Sequence, residues 1–151
     1  MTIWDPQHEA IDREPLEELQ LSRLRDMLSR VYERVPFYRS KLDATGFSPG
    51  DLAGLDDLAR LPFTEKSDFR DNYPYGLFAV PLDDVVEIHS SSGTTGKAVV
   101  GGYTKADLET WAELVCRIAV AAGVTRGDVA QVAFGYGMFT GGFGLHYGLQ
   151  K

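Results

Sequence analysis

The chain has 151 residues, 44% hydrophobic and 25% charged, enough for one globular domain with a buried core or for a piece of a larger one. Its formal net charge of −7 argues against a nucleic-acid binder that works by neutralising phosphates over a broad surface. One cysteine, Cys116, excludes an internal disulfide and a zinc cluster, no apolar run approaches the roughly 20 residues of a membrane span, and no basic-then-apolar leader opens the sequence. A cytoplasmic protein with no nucleic-acid and no membrane partner is the expectation.

Formal charges crowd residues 1–89 and thin out after them, while glycines gather between Gly135 and Gly148. This predicts a helical N-terminal region over 1–80 and an α/β segment over 81–151. The first strong element starts near Pro15, where a first-turn proline with Glu17 and Glu18 suits a helix N-terminus. Leu21, Leu24, Leu28 and Val31 follow at helical spacing, and Pro36 ends the run. That face is read as packing surface, with a homodimer contact as the alternative. A short helix is expected through Leu42, stopped by Gly46. Ser48-Pro49 reads as a cap and first-turn proline, with Leu52, Leu55 and Leu58 continuing at helical spacing. Thr64 is expected to cap a further helix through Phe69, before Pro74.

After Pro81 the pattern changes. Val85-Val86-Glu87-Ile88-His89 reads as a strand and Val99-Val100 as a second, short one. Thr104 with Asp107 is a capping signal. The helix it opens is expected to turn Leu108, Trp111, Val115, Ile118 and Ala122 inward and to close at Gly123. Arg126-Gly127-Asp128 is a turn, Val129 to Phe134 a further strand, and the last segment a helix still running at Lys151. The fold class is therefore α/β behind a helical N-terminal lobe.

The chemistry lies in Ser90-Ser91-Ser92-Gly93-Thr94-Thr95-Gly96-Lys97. Gly93 and Gly96 allow tight turning and close approach of a ligand to backbone N–H groups. Ser91, Ser92, Thr94 and Thr95 add hydroxyl donors, and Lys97 a mobile cation. Many donors, one cation and no bulk suit a triphosphate. Only two residues separate the glycines and Ala98 follows the lysine, so this is not a Walker A loop. A solvated hydroxyl-rich turn between two strands is the competing reading.

Ser92-Gly93-Thr94-Thr95-Gly96-Lys97 resembles the phosphate loop of the adenylate-forming acyl-CoA synthetases. With His89 to Ser91, Gly102-Tyr103-Thr104, Val35-Pro36-Phe37-Tyr38, Leu61-Pro62-Phe63-Thr64, Asp71-Asn72-Tyr73-Pro74, Gly76-Leu77-Phe78-Ala79 and Phe134 to Gly148, the resemblance narrows to the phenylacetate–CoA ligases. It runs from about Trp4 to the last residue. Ala98 stands where that family usually carries proline, and Phe134 where many members carry tyrosine. The resemblance implies the start of an adenylate-forming α/β subdomain, incomplete here, and a two-step reaction using ATP, Mg2+, CoA and phenylacetate or a similar aryl acid. It implies that residues 91–97 bind nucleotide, with Thr94, Thr95 and Lys97 catalytic, and that Phe134, Tyr136 and Phe139 wall the aryl pocket. Members are several-fold longer, so the chain is read as the N-terminal third, inactive alone. A relative acting on another acid or without CoA, such as a coenzyme F390 synthetase, and a non-catalytic ATP-binding module are the alternatives.

Gly135-x-Gly137-x-x-Thr140 lacks the third glycine of a dinucleotide fingerprint. His8, His89 and His146 are too scattered for a metal site, and no metal ligands are assigned. His89 is expected to pack or bond locally, with a nucleotide contact as the alternative. Cys116 reads as a small core residue.

Overall fold

The computed structural model describes residues 2–92, 97–137 and 140–151. The chain divides into two compact units, one from Ile11–Pro81 and the other from the first ten residues with Leu82–Lys151. The first ten residues, with a single helical turn α1 (Pro6–Glu9), group with the C-terminal unit and not with the helices that follow them. Two side chains tie them there. Trp4 Nε1 donates to Glu113 Oε2 at 2.6 Å, and Arg117 donates to Asp5 at 2.9 Å.

In the Ile11–Pro81 unit, α2 (Arg13–Arg34) begins two residues before Pro15 and stops ahead of Pro36. Val35 is extended, as the residue before a proline prefers, and α3 (Pro36–Asp43) starts with Pro36 as its first residue. Gly46, at φ +68°, supplies the left-handed turn after α3 and folds Phe47 back, so that its N–H reaches Leu42 O at 3.2 Å. Leu28, Leu42, Phe47 and Leu52 form the core, backed by Leu21, Leu24, Tyr32 and Leu61. Each fully buried apolar side chain contributes about 1.5–3 kcal/mol before entropy is counted.

The expected helical run through Leu52, Leu55 and Leu58 is broken. It consists of two 3-10 turns, Pro49–Asp51 and Leu55–Arg60, separated at the extended Gly54. Carboxylates decide this. Asp51 accepts from both the amide and the hydroxyl of Ser48 at 2.7 Å, and Asp57 accepts from the Ala53 and Gly54 amides at 2.8 and 3.1 Å. Leu52 is buried in the core, while Leu58 is half exposed. The next helix, α4 (Lys66–Asp71), takes Glu65 and not Thr64 as its N-cap residue. Asp68 accepts from the Glu65 amide at 2.8 Å and from Lys41 at 2.6 Å, which fixes the start and holds its carboxyl below the ordinary value.

The other unit is built on an antiparallel pair, β1 (Val85–Ser90) and β2 (Val100–Thr104). They pair His89 with Gly101 and Ser90 with Val100, with an irregularity between Val85 and Glu87. β1 turns its aliphatic side chains the unexpected way. Val86 and Ile88 are exposed, whereas His89 is buried and Glu87 half-buried.

Thr104 caps α5 (Lys105–Ala121). Its amide donates to Asp107 at 2.8 Å and its hydroxyl accepts from the Asp107 amide at 3.2 Å. Gly123, at φ +94°, ends the helix. The inward face is Ala112, Val115 and Cys116, with Ile118 67% exposed and Ala122 exposed, a rotation from the expected stripe.

The rotation is imposed by α6 (Thr140–Gln150), which lies along α5. A Cβ at Gly144 would sit 2.6 Å from the Trp111 ring, and one at Gly148 would overlap Val115. The strand expected over Val129 to Phe134 is not formed. No ladder partner stands beside it among the described residues, and Val129 is fully exposed. No helix among the described residues is long and apolar enough to cross a membrane.

Gly148→Ala should therefore force α6 away from α5 and destabilise the chain by about 1–3 kcal/mol, read from the denaturant midpoint. An unchanged midpoint would contradict this packing.

Candidate functional site

The hydroxyl-rich loop leaves β1 at Ser90 and returns to β2 at Val100, so the paired strands hold its two ends side by side. Ser91 closes the neck. Its amide donates to Val99 O at 2.9 Å and its Oγ accepts from the Val99 amide at 2.9 Å. That hydroxyl is committed as an acceptor but keeps its own proton to donate. Ser91, Ser92 and Lys97 are exposed. Gly93, Thr94, Thr95 and Gly96 lie outside the described residues, as does Phe139.

Of the aromatic candidates, Phe134 and Tyr136 are each about half exposed and lie against α6. A Cβ at Gly142 would meet Phe134 Cβ at 3.3 Å, so Phe134 sits close over the first turn of the helix. Tyr136 packs edge-on to Phe143 at 5.1 Å, and its hydroxyl is 3.0 Å from His146 Nδ1.

Beneath the loop neck lies a polar cluster. His89, 3% exposed, meets the edges or faces of Tyr103, Trp111 and Phe143 at centroid distances of 5.1, 5.6 and 5.5 Å. His89 Nε2 is 2.6 Å from Glu87 Oε1, and the Tyr147 hydroxyl donates to Glu87 Oε2 at 2.6 Å. His89 Nδ1 is buried without a partner among the described residues. A stranded N–H would cost more than a stranded lone pair, so the arrangement assigns the ring proton to Nε2, facing the carboxylate. Both oxygens of Glu87 thus receive short, charge-assisted hydrogen bonds. The carboxylate beside it, with burial adding, pushes Tyr147 up from its ordinary 10.0 to about 12, so its hydroxyl remains a donor throughout the neutral range.

The other groups read differently. Burial pushes the Cys116 thiol up, and its Sγ donates to Gly148 O at 3.1 Å, so it is a packed core thiol. A cavity of about 460 Å³ beside it, lined by Trp4, Val120, Arg126, Leu149 and Lys151 among others, holds none of the loop or aromatic candidates. Among the described residues no His, Cys, Asp or Glu cluster stands ready for a metal.

No family model matches the chain. Curated proteins do. The phenylacetate-coenzyme A ligase of Thermus thermophilus is 53% identical over 148 residues, 98% of this chain and 33% of that protein. The ligase of Pseudomonas putida is 52% identical over 149 residues, 99% of this chain and 34% of that protein. That of Escherichia coli K12 is 50% identical over 143 residues. Over that third, the chain is similar to the phenylacetate–coenzyme A ligases at 50–53% identity.

Solved structures agree in fold. A 2-hydroxyisobutyryl-CoA ligase in the postadenylation state, in complex with 2-HIB-AMP, superposes with a TM-score of 0.88 at 28% identity, over 98% of this chain and 32% of that one. Its open conformation, in complex with 2-HIB-AMP and CoA, gives 0.89 at 29% identity. The fold class is thus that of an adenylate-forming CoA ligase, in the part this chain spans. The chain spans about a third of the length of the curated relatives it matches.

Sequence reasoning missed the Glu87–Tyr147 link and the His146–Tyr136 contact. One local signal for the first existed. Glu87 and His89, two apart in a strand, must share a face, and the other residues from Val85 to Ile88 are aliphatic.

Glu87→Gln should return Tyr147 from about 12 toward its ordinary 10.0, read by NMR of the tyrosine ring over a pH series. Because the folded value is the raised one, stability from this bond is complete below the ordinary value and is lost as pH climbs through about 12. A Tyr147 titration unmoved by the substitution would separate the hydroxyl from Glu87.

Proposed function

We propose that this chain belongs to an ATP-dependent phenylacetate–CoA ligase and supplies its phosphate loop and the first wall of its acid pocket. The observation that carries the reading is 53% identity over 98% of the chain to a phenylacetate-coenzyme A ligase. A loop of hydroxyls, glycines and one lysine on a strand-braced neck fits it. In the first step a carboxylate oxygen of the acid attacks the α-phosphorus of ATP, the bond to pyrophosphate breaks, and an acyl-adenylate forms. In the second the CoA thiolate attacks the acyl carbon, AMP leaves, and the thioester results.

The loop 91–97 would cradle the β- and γ-phosphates, where Thr94, Thr95 and Lys97 stabilise charge gathering on the departing pyrophosphate. Ser91, Ser92 and the amides of Gly93 and Gly96 would complete the cradle. Magnesium arriving with the nucleotide would add charge neutralisation at the phosphates, beside the hydroxyls and Lys97 of the loop. Phe134, Tyr136 and Phe139 would receive the aryl ring by offset or edge contacts. Use of ATP and CoA supports a cytoplasmic setting. Because the chain spans a third of its relatives, it is proposed to be inactive alone.

The test is phenylacetate-dependent ATP–pyrophosphate exchange in the full-length ligase. Lys97→Ala should slow exchange by about 10²–10³-fold while leaving aryl-acid affinity within about twofold, since the lysine serves the transition state and not the acid. Equal loss of both, or of neither, would remove Lys97 from adenylation. Running phenylacetate beside 2-hydroxyisobutyrate distinguishes an aryl-acid enzyme from one with the substrate of its structural neighbours.

A further inference from the structure

His89 is the one buried polar residue in the core of the C-terminal unit among the described residues, and the adenylation reading leaves it without a task. It lies one residue before Ser90, where the chain enters the hydroxyl-rich loop. Its neighbours divide into two groups. Tyr103 on β2 and Trp111 on α5 belong to the scaffold, and Phe143 belongs to α6. Phe143 in turn carries Tyr136, a wall of the proposed acid pocket, at 5.1 Å. Glu87 makes the second connection, joining His89 on β1 to Tyr147 on α6 through its two oxygens at 2.6 Å each. The strand that launches the loop and the helix that backs the aromatic segment are thus tied twice, once by ring contact and once by a shared carboxylate.

On the adenylation reading, we propose that Glu87, His89 and Tyr147 form a positioning relay that sets the phosphate loop against the acid pocket. His89 donates from Nε2 to one oxygen of Glu87 and Tyr147 donates to the other, so the carboxylate cannot turn without breaking a short bond to one of the two elements. An acid carboxylate must meet the α-phosphorus within about 3–3.5 Å, and a displacement of about 1 Å in such a site costs on the order of a hundredfold in rate. A relay that fixes the two half-sites acts on the chemical step and not on ATP affinity.

The test uses the full-length ligase and the exchange assay, with Lys97→Ala as the reference. Tyr147→Phe removes one hydrogen bond and keeps the ring. It should lower exchange kcat about ten- to hundredfold and leave the KM for ATP within about twofold. His89→Phe keeps a ring against Tyr103, Trp111 and Phe143 but loses the donor, and should lose as much. His89→Gln gives up the ring but offers an amide N–H to Glu87, and should recover most of the rate. If His89 served only packing, the order would invert, with phenylalanine better than glutamine, and the relay would be refuted. Should His89→Phe fail to fold, Tyr147→Phe decides, and an unchanged kcat there refutes the relay equally. Failure of the adenylation reading looks different, because exchange would then survive Lys97→Ala.

Discussion

The close approach of α6 to α5 is the constraint on which the C-terminal unit depends. Gly144 and Gly148, four residues apart, present one face of α6 with no side chains, and the Trp111 ring and Val115 occupy the space that Cβ atoms would fill. Glycine in a helix interior costs roughly 0.5–1 kcal/mol each relative to alanine, so these positions lower the intrinsic stability of α6. Intimate contact offsets that cost. Trp111 and Val115 find partner atoms where a wider separation would leave a void. Cys116 illustrates how near the helices are, since its thiol reaches the carbonyl of Gly148 itself.

That approach fixes what the rest of α6 can touch. With Gly144 and Gly148 seated on α5, Phe143 and Tyr147 are carried toward β1, where they meet His89 and Glu87. The polar inner face of β1 then makes sense. A carboxylate half-buried beside aromatic rings is costly unless both its oxygens are bonded. Here they are, by two donors from different parts of the chain. Apolar replacements of similar volume would pack as tightly, but they would not specify which residue of α6 stands opposite which residue of β1. Hydrogen bonds with defined direction do specify it, and this registers the loop-bearing strand on the helix.

How much was legible in the sequence follows the range of the interactions. Breaks and caps with a local chemical cause were readable. Pro36 divides α2 from α3, Gly46 and Gly123 take the left-handed conformations that end helices, and Thr104 with Asp107 opens α5. Periodicity found the stripe through Leu21, Leu24 and Leu28 because one core lies against it. It misjudged α5 by a rotation, since its buried face is set by where glycines let α6 come in. Thr64 lost the cap of α4 to Glu65 because Asp68 is pinned by Lys41, 27 residues away. Of the site, the loop stood out by composition and so did the aromatic segment. Glu87 and Tyr147, separated by 60 residues, carry no such mark.

The segment from Val129 to Phe134 shows the same limit from the other side. Its β-branched and apolar residues describe a chain that would fit a pleated, half-buried surface, which is what β-propensity measures. Propensity cannot supply the neighbour. A strand exists only as one side of a ladder, and among the described residues β1 and β2 pair with each other and with no third strand. β1, by contrast, carries Glu87 and His89 inward against its aliphatic character and is nevertheless a strand, because β2 is there to receive its hydrogen bonds. In this chain pairing decides which apolar segment becomes a strand, and side-chain chemistry decides which face of it is turned to the site.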